Sequence, residues 1–252
     1  MIELKTPEQI ELMAASGRIQ ARALQLVQAT ARAGVTTAEL DKAVEKFIRS
    51  QGGIPVFKGY RGFPASICAS VNEMVVHGIP GPYKLKKGDL LSVDIGVSLG
   101  GWVSDAAITI PIGPIDPVSE QLLATTKQSL FEAVEQCQLG NTIGDIANAV
   151  QTHVEAAGFS VIRDLIGHGV GRAMHEDPQV PNYGDPGTGP ILEEGLVIAI
   201  EPMVNVGAPE IVMGDDGWAI YSRDGSQTAH FEFTVAITAD GPRILTPWHI
   251  DD

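Results

Sequence analysis

The sequence predicts an α+β fold in which two similar halves, each with two helices followed by strands, surround a central sheet. Apolar residues recur at helical spacing in two consecutive segments near the start of the chain, and again in two segments after about residue 116. Short runs that alternate apolar and polar residues, as strands do, follow each helix pair. The order helix, helix, strands therefore occurs twice within 252 residues.

The first two helices carry clear starting signals. Thr6 is placed to cap the first helix, and Gln9 three residues later completes a capping box. Thr36 and Glu39 form the same pattern at the start of the second helix. Glycines are expected to follow both helices, namely Gly34 after the first and Gly52 after the second.

Two strands joined by a tight turn are predicted next. Leu90–Gly100 and Trp102–Pro111 are short alternating runs, and Gly100-Gly101 lies at the turn between them. In each run one acidic residue shares a face with small or polar side chains, while apolar side chains occupy the opposite face. We expect the apolar faces to pack on the helices.

The second half repeats this plan. Ser119 is predicted to open a helix that ends at Gly140, and Thr142 to open another that Gly158 closes. The strand-like runs that follow are Gly195–Val206 and His230–Thr238.

An internal repeat relates the two halves. A shift of 106 residues places Thr36 on Thr142, and a shift of 107 places Asp94 on Glu201. Other pairs matched by these shifts are Gly34 with Gly140, Val44 with Val150, Gly52 with Gly158, and Leu85 with Leu192. The matching of acidic residues inside apolar strands indicates a duplicated unit rather than chance similarity.

Composition narrows the class of protein. The 17 basic and 31 acidic residues give a net charge of −14, which argues against a dedicated nucleic-acid binder. Two cysteines exclude a disulfide framework and fit a reducing compartment. No apolar run reaches the roughly 18 residues of a membrane span, and the first residues lack a signal-peptide pattern. We therefore expect a cytoplasmic, globular protein.

Four acidic residues lie inside the predicted strands, at Asp94, Asp105, Glu201 and Glu232. Burying unpaired charges is costly, and no Lys or Arg occurs within these strands. Divalent metals are therefore favoured over solvated or Arg-paired acids. Four carboxylates exceed the need of one ion, so we predict two ions about 3.5–4 Å apart. Mn, Fe(II), Co or Zn would suit oxygen and imidazole ligands.

Three histidines are candidates for the same site. His168 stands between two glycines, His77 precedes one, and His175 follows in the same region as His168. Glycine allows backbone to approach a site closely. One such histidine is usually structural, but three in a chain with four strand carboxylates favour site roles. His153 is expected to be a half-buried core residue on a helix, and His249 to be solvated.

These features together resemble a known family. The motifs that carry the resemblance are Val71-Asn72-Glu73, His77-Gly78-Ile79-Pro80, Asp94, Asp105, Gly167-His168-Gly169-Val170-Gly171, His175-Glu176-Asp177-Pro178, Ile200-Glu201-Pro202-Met203 and His230-Phe231-Glu232. Over nearly its full length the chain resembles type I methionine aminopeptidases. The resemblance implies the pita-bread fold, with pseudo-symmetric halves around an antiparallel sheet. It also implies one catalytic domain, 1–252, with pseudo-repeats at about 1–115 and 116–252.

The resemblance implies a metal-dependent hydrolase that removes the N-terminal methionine of nascent proteins when the second residue is small. A water or hydroxide bridging two metal ions would attack the first peptide carbonyl. Asp94 would bind one metal, Asp105 and Glu232 would bridge both, and His168 and Glu201 would complete the other.

Three residues would take part in catalysis according to the same resemblance. Glu201 is the candidate general base as well as a ligand. His175 would hydrogen-bond the carbonyl oxygen and then the tetrahedral intermediate. His77 would contact the scissile nitrogen and assist the leaving amine.

The pocket for the methionine side chain is implied at Tyr60, Phe63, Cys68, Met174 and Trp218. Apolar, polarizable side chains suit a flexible thioether, although each residue alone would more often be ordinary core. Met174 stands where the family pattern has Phe, and Phe63 where it has Tyr. These departures leave the implied metal ligands unchanged.

Two alternative functions stay open at this stage. An X-Pro aminopeptidase or prolidase relative would share the ligands, but such enzymes usually carry a large N-terminal domain, whereas the repeat here begins almost at residue 1. A non-catalytic binding protein on the same fold would typically lack ligands, and all five are present. The implied partners are the N-terminal segments of nascent polypeptides, with transient ribosome contact. We expect no membrane association and a monomer.

Overall fold

The computed structural model describes residues 1–250 of the chain. Within that range it contains four α-helices, α1 (Pro7–Thr30), α2 (Thr37–Ser50), α3 (Pro117–Glu135) and α4 (Ile143–Ala156). The strands of the first half are β1 (Ile54–Pro55), β2 (Cys68–Val71), β3 (Met74–Val76), β4 (Leu90–Leu99) and β5 (Trp102–Pro111). Those of the second half are β6 (Ser160–Val161), β7 (Gly167–Gly169), β8 (Glu176–Val180), β9 (Val197–Ile200), β10 (Met203–Asn205), β11 (Ile211–Met213), β12 (Ile220–Ser222), β13 (Thr228–His230), β14 (Phe233–Thr238) and β15 (Gly241–Ile244).

Every strand pair among these elements is antiparallel. One sheet has the order β1-β4-β2 with β5 also paired to β4, and another has the order β15-β14-β9-β7-β8. Two three-stranded sheets, β13-β10-β6 and β11-β12-β3, complete the structure. Helices and antiparallel sheets together confirm the predicted α+β class. No helix within residues 1–250 has the length and apolar character needed to cross a membrane.

The helices cover the sheets on the faces that carry apolar side chains. Helix α1 packs across β4 and β5, and Ser16 Oγ donates a hydrogen bond to the carbonyl of Val97 at 2.9 Å. Gly17 allows the C-terminal segment to approach the helix, because a Cβ atom there would lie 1.9 Å from the carbonyl oxygen of Leu245. Helices α3 and α4 pack on each other and against strands of the second half.

The helix starts follow the predicted signals with one exception. Capping boxes are present at Thr6 with Gln9 and at Thr36 with Glu39. The prediction that Ser119 opens the third helix is wrong, because α3 begins two residues earlier. Its N-cap is Asp116, whose carboxylate accepts the backbone N–H groups of Val118 and Ser119 at 2.9 and 3.1 Å.

The duplication appears as matching backbone contacts at the end of each first helix. The N–H of Gly34 donates to the carbonyl of Leu85 at 2.8 Å, and the N–H of Gly140 donates to that of Leu192 at 3.1 Å. Isolated β-bridges at the second-helix starts also correspond, joining Thr36 to Lys84 and Thr142 to Ile191. The repeated plan agrees with the fold prediction. The division of a single domain near residues 115 and 116 stays a prediction.

The strands of the two halves differ in regularity. The predicted runs at Leu90–Gly100 and Trp102–Pro111 are continuous strands, β4 and β5. The run predicted at Gly195–Val206 is broken between β9 and β10, where Pro202 follows Glu201 and lacks a backbone N–H. The run at His230–Thr238 is broken at Glu232, whose N–H donates to Ala107 of β5 at 2.9 Å.

Candidate active site

The first-half acids project from adjacent strands. In the β4–β5 ladder Asp94 lies opposite Ala107 and Asp105 lies opposite Gly96. Each acid therefore faces a small residue, which leaves space beside the carboxyl group. Asp105 is 3% exposed. These are the positions that strand alternation predicts for Asp94 and Asp105 on one face of the sheet.

The second-half acids come from the two strand breaks. Glu201 follows the end of β9, and Glu232 lies between β13 and β14. A reciprocal pair of hydrogen bonds ties this region to β5. Thr234 Oγ1 accepts the N–H of Asp105 at 2.9 Å and donates to its carbonyl at 2.7 Å. The acids of the two halves meet along this seam.

His168 lies on the short strand β7 and points toward the acids. Its Nε2 atom is 3.6 Å from Oδ2 of Asp105 and 3.6 Å from Oε1 of Glu201. Its Nδ1 atom is 2.8 Å from the carbonyl oxygen of Gly169, which can only accept a hydrogen bond. Because Nδ1 is then the protonated nitrogen, the lone pair of Nε2 faces the carboxylates. This is the arrangement of a metal-binding imidazole.

The site has the donors that a divalent cation requires. Ligand atoms of Asp105, His168 and Glu232 all lie within 4.8 Å of one another. Within the described residues, one oxygen of each of three buried carboxyls lacks a hydrogen-bond partner, namely Asp94 Oδ1, Asp105 Oδ1 and Glu232 Oε1. Buried unpaired carboxylate oxygens beside an imidazole fit a hard or borderline divalent ion.

Burial sets the protonation of these groups in the metal-free protein. It raises the pKa of Glu201 to about 8, with the nearby His168 opposing the shift. Burial also raises the pKa values of Asp94, Asp105 and Glu232 well above their ordinary range, and the neighbouring acids add to the shifts of Asp94 and Glu232. A cation in the site would stabilise the ionised carboxylates, and it would therefore lower these pKa values.

Two further histidines border the cavity. His175 Nδ1 is 2.9 Å from the hydroxyl of Tyr60, and its ring centroid is 4.3 Å from that of His168. Burial, with a smaller contribution from the nearby His168, lowers the pKa of His175 to about 4. His77 has a positive φ of 61°, and burial lowers its pKa as well. Both imidazoles are therefore neutral near pH 7.

A cavity of about 200 Å³ adjoins the carboxylates. Phe63 and Trp218 meet edge to face in its wall, with centroids 5.1 Å apart. Burial and the nearby acids raise the pKa of the Cys68 thiol well above its usual range, which disfavours the thiolate form that a nucleophile requires. Every residue predicted for the site lines this cavity, namely Tyr60, Phe63, Cys68, His77, Asp94, Asp105, His168, Met174, His175, Glu201, Trp218 and Glu232.

Sequence reasoning missed two residues of the cavity wall. Phe57 and Arg61 also line it. Phe57 lies close to Met174 across Gly96, where an added Cβ atom would come within 2.9 Å of Phe57 and 3.3 Å of Met174. The only available signal was the position of Phe57 three residues before Tyr60, which does not distinguish a wall residue from core.

The two histidines predicted to lie outside the site do so. His153 is half-buried on α4, with Nδ1 2.8 Å from a carboxylate oxygen of Glu132. The prediction that His249 is solvated is wrong. Its ring packs edge to face against Phe131 and Phe233, and burial lowers its pKa.

The geometry is that of a metal centre beside an apolar pocket, and comparison with known proteins places it in a family. The model of "Metallopeptidase family M24" matches residues 11–239. The chain belongs to metallopeptidase family M24.

Within family M24, similar proteins over the full chain are methionine aminopeptidases. The chain is 50% identical to the methionine aminopeptidase of Clostridium perfringens, covering 98% of this chain and 99% of the relative. It is 47% identical to methionine aminopeptidase 1 of Bacillus subtilis, again covering 98% and 99%. The chain is therefore a member of the methionine aminopeptidase group of M24 metallopeptidases.

Solved structures agree with this assignment. The methionine aminopeptidase of Rickettsia prowazekii superposes with a TM-score of 0.96 at 37% identity, covering 98% of this chain and 100% of that one. The methionine aminopeptidase of Thermotoga maritima superposes with a TM-score of 0.96 at 44% identity, covering 98% of this chain and 99% of that one. The prolidase of Pyrococcus furiosus superposes with a TM-score of 0.79 at 24% identity and shares the fold over 65% of its own length. The M24 methionine aminopeptidase assignment is thus supported over the prolidase alternative, and the pita-bread fold is confirmed.

Proposed function

We propose that this M24 chain removes the N-terminal methionine from peptides and nascent proteins whose second residue is small, using two divalent metal ions. The observation that carries the proposal is the convergence of four carboxyl groups, two of them buried, and His168 beside an apolar cavity. Cavity and acids are adjacent, so a bound methionine side chain would place its own peptide bond at the acids.

The residues would divide between the two ions as the family resemblance implies. Asp94 would bind one ion, His168 and Glu201 the other, and Asp105 with Glu232 would bridge both. The unpartnered oxygens of Asp94, Asp105 and Glu232 support this division, since each has a free lone pair within the site. When bound, such ions lower the pKa of water and polarise a carbonyl group. Mn, Fe(II), Co and Zn all suit this ligand set.

The chain's own residues would move the proton and hold the carbonyl. Glu201 would accept the proton of the attacking water, and the position of Glu201 at the cavity supports this role. The Tyr60 hydroxyl is placed to donate to His175 Nδ1, which leaves Nε2–H of His175 free to donate to the substrate carbonyl oxygen. The low pKa of His175, about 4, keeps it neutral, so it would act as a hydrogen-bond donor rather than as an acid.

The remaining residues would bind the substrate's first residue. Phe63, Cys68, Met174 and Trp218 present apolar and sulfur-containing surface, which suits a thioether. His77 lines the same cavity and would contact the scissile nitrogen as the amine leaves. The preference for a small second residue rests on the resemblance alone.

A peptide panel tests this function. Enzyme stripped by a chelator, then supplied with Mn, Fe(II), Co or Zn, is given Met-Ala-Ser, Met-Ile-Ser, Ala-Pro-Ser and Leu-Ala-Ser, and free amino acids are measured. We expect methionine from Met-Ala-Ser only, and only after metal is restored. Release of alanine from Ala-Pro-Ser would assign the chain to proline-specific chemistry. No release with any metal would favour a binding protein.

The number of ions is tested separately. Titration of metal-free protein followed by calorimetry should give two bound ions per chain. Asp94→Asn should remove one of them, because Asp94 is assigned to a single ion. A single ion in the unmodified chain would contradict the two-ion proposal.

The proposed substrates also indicate the cellular context. We propose a cytoplasmic monomer that contacts the ribosome transiently, because nascent chains would be its substrates. Sedimentation of the protein alone, and with ribosomes, tests both statements. A stable dimer would contradict the monomer, and the absence of ribosome binding at physiological salt would contradict the ribosome contact.

A further inference from the structure

One buried histidine outside the residues assigned above lies against two of the proposed ligands. His230 ends β13, and its side chain is 2% exposed. Its Nε2 atom is 3.7 Å from Oε2 of Glu201 and 3.9 Å from Oε2 of Glu232. Among the residues that the structure describes, this nitrogen has no hydrogen-bond partner. A buried polar atom without a partner is unfavourable. The two glutamate oxygens lie beyond hydrogen-bond distance here, and a small approach would make either of them an acceptor.

His230 lies behind the glutamates as viewed from the cavity. The wall of the cavity includes Glu201 and Glu232, whereas His230 is not among the described residues that line it. Nor does His230 belong to the compact group of ligand atoms formed by Asp105, His168 and Glu232. A substrate in the cavity would meet the glutamates first. His230 can therefore act on the reaction only through them.

The carboxylate of Glu201 lies between two imidazoles. Its Oε1 atom is 3.6 Å from Nε2 of His168, and its Oε2 atom is 3.7 Å from Nε2 of His230. One carboxylate oxygen thus faces the proposed metal ligand, and the other faces the buried histidine. A donor at Oε2 would fix the rotation of the carboxylate about its own axis.

The backbone holds His230 in place independently of Glu201. The N–H of His230 donates to Thr109 Oγ1 at 2.8 Å, and that hydroxyl donates to the carbonyl of His230 at 2.9 Å. The fold does not require a histidine at this point. The residue two positions before Asp105, which corresponds to His230 two positions before Glu232, is the buried Val103.

We propose that His230 is a positioning residue, which donates a hydrogen bond from Nε2 to Oε2 of Glu201 and so fixes the orientation in which Glu201 binds metal. This inference rests on the proposed role of Glu201 as a metal ligand. Hydrogen-bond partners behind a ligating group commonly change metal affinity or activity by about 10–100-fold when they are removed.

Three variants test the proposal. His230→Leu removes the donor at similar volume, and His230→Gln keeps an N–H donor on a flexible side chain. His153→Leu is the matched control, since His153 is half-buried but remote from the site. Calorimetry gives the Kd of Co²⁺ or Mn²⁺ for each metal-free protein, and steady-state assays give kcat and KM on Met-Ala-Ser.

We expect H230L to raise the metal Kd about 10–100-fold. At saturating metal its kcat should fall about tenfold while KM changes by less than about threefold, since the substrate pocket is untouched. H230Q should recover most of both losses, and H153L should match the unmodified protein. Metal affinity and kcat unchanged in H230L would overturn the proposal. Equal losses in H230L and H230Q would also overturn it, because hydrogen-bond donation would then not be the cause.

A measurement on the unmodified protein avoids dependence on a variant that does not fold. In ¹⁵N NMR of the Zn²⁺-loaded protein, we expect a proton on Nε2 of His230 that exchanges slowly with water, assigned by correlating the imidazole signals with the backbone signals of His230. An unprotonated Nε2 would overturn the proposal. Both the NMR signal and the metal Kd can be read even if the chain releases no methionine, so failure of the proposed function is distinguishable from failure of this inference.

Discussion

Two of the histidines near the carboxylates, His168 and His175, each have one ring nitrogen against a local hydrogen-bond partner. For His168 the fixed atom is Nδ1, held by the carbonyl of Gly169. For His175 it is again Nδ1, held by the hydroxyl of Tyr60. A carbonyl can only accept, so its contact places the proton of His168 on Nδ1 and leaves a lone pair on Nε2. In His175 the proposed donation from the Tyr60 hydroxyl would leave the proton on Nε2.

His175→Ala should lower kcat about 10²–10³-fold, because it removes a donor to the charge that develops on the carbonyl oxygen. The metal Kd should stay within about twofold, since His175 is not a proposed ligand. Steady-state kinetics and calorimetry measure these quantities. Tyr60→Phe is the control, and its kcat should fall less than that of H175A, because only the hydrogen bond that orients the imidazole is removed. A large rise in metal Kd for H175A would contradict the assignment.

The sequence predicted all the acids and histidines that line the cavity, but it missed two other residues of the cavity wall. Acids inside strands and glycine-flanked histidines are unusual enough to be noticed, and all of these residues line one cavity. Phe57 and Arg61 could not be predicted, because an aromatic residue near a turn and an arginine in a loop are common in any chain. His249 was misplaced because its burial depends on Phe131 and Phe233, which are distant in sequence.

At the scale of elements, the segment before α1 holds the loop that carries His175. The side chain of Lys5 is 2% exposed, and its Nζ atom is 2.6 Å from Oε2 of Glu176 and 2.8 Å from the carbonyl of Glu3. The other oxygen of Glu176 accepts the N–H of Ala173 at 3.0 Å. One buried ion pair therefore connects the N-terminal segment to residues 172–176.

Lys5→Met should lower the free energy of unfolding by about 3 kcal/mol, because it leaves the carboxylate of Glu176 without its cation. Urea denaturation measures the change. Lys58→Met is the control, since Lys58 is 45% exposed in its pair with Glu45 and should cost less than about 1 kcal/mol. The double variant with Glu176→Gln should regain part of the loss. Equal effects of K5M and K58M would show that burial of the pair contributes nothing.

The duplicated turns before β4 and β9 provide a second test at this scale. Gly88 and Gly195 correspond in the repeat and have similar positive φ values of 94° and 91°. A Cβ atom at Gly88 would meet no atom within 4 Å, whereas at Gly195 it would lie 2.5 Å from the carbonyl oxygen of Lys5. We expect Gly88→Ala to cost about 1–2 kcal/mol from backbone strain alone. Gly195→Ala should cost clearly more in the same denaturation assay, and equal costs would contradict the steric argument.

Local signals account for most of the elements that were predicted. Capping residues and alternation located α1, α2, β4 and β5 because these features depend on neighbours in sequence. The break at Glu201 was missed although Pro202 is a local signal for it, and the break at Glu232 was missed because it depends on a contact with another sheet. Glu232 leaves its strand to donate its N–H to Ala107, more than a hundred residues away. The same departure brings its carboxylate to the metal site.

At the scale of the molecule, the cluster of acids makes stability depend on pH and on metal. Between pH 7 and 8, histidines whose pKa values are lowered in the fold, such as His175 at about 4, are neutral in the folded state and mostly neutral in the unfolded state, so they oppose the effect of the acids only weakly. Glu201, with a folded pKa of about 8, holds a proton in the metal-free fold but loses it on unfolding, where its pKa is about 4.5. Since the folded state binds more protons, stability must fall as pH rises through this range.

The metal-free protein should therefore lose up to about 1.4 kcal/mol per pH unit for each carboxyl group that keeps its proton, between pH 7 and 8. Thermal unfolding in a chelator gives the slope. Added Mn²⁺ should flatten or reverse the slope, because metal binding releases these protons. Asp105→Asn removes one titrating group and should reduce the slope in chelator. A metal-free Tm that rises with pH would contradict the prediction.

The proposed ligands are spread from Asp94 to Glu232, and the backbone of Glu232 is itself supported by the indole N–H of Trp248, which donates to its carbonyl at 2.9 Å. A chain is synthesised from its first residue, so Asp94 and Asp105 are made long before Glu232. A product of translation that stops between residues 105 and 232 would carry both first-half acids without Glu232, and it could not assemble the complete centre.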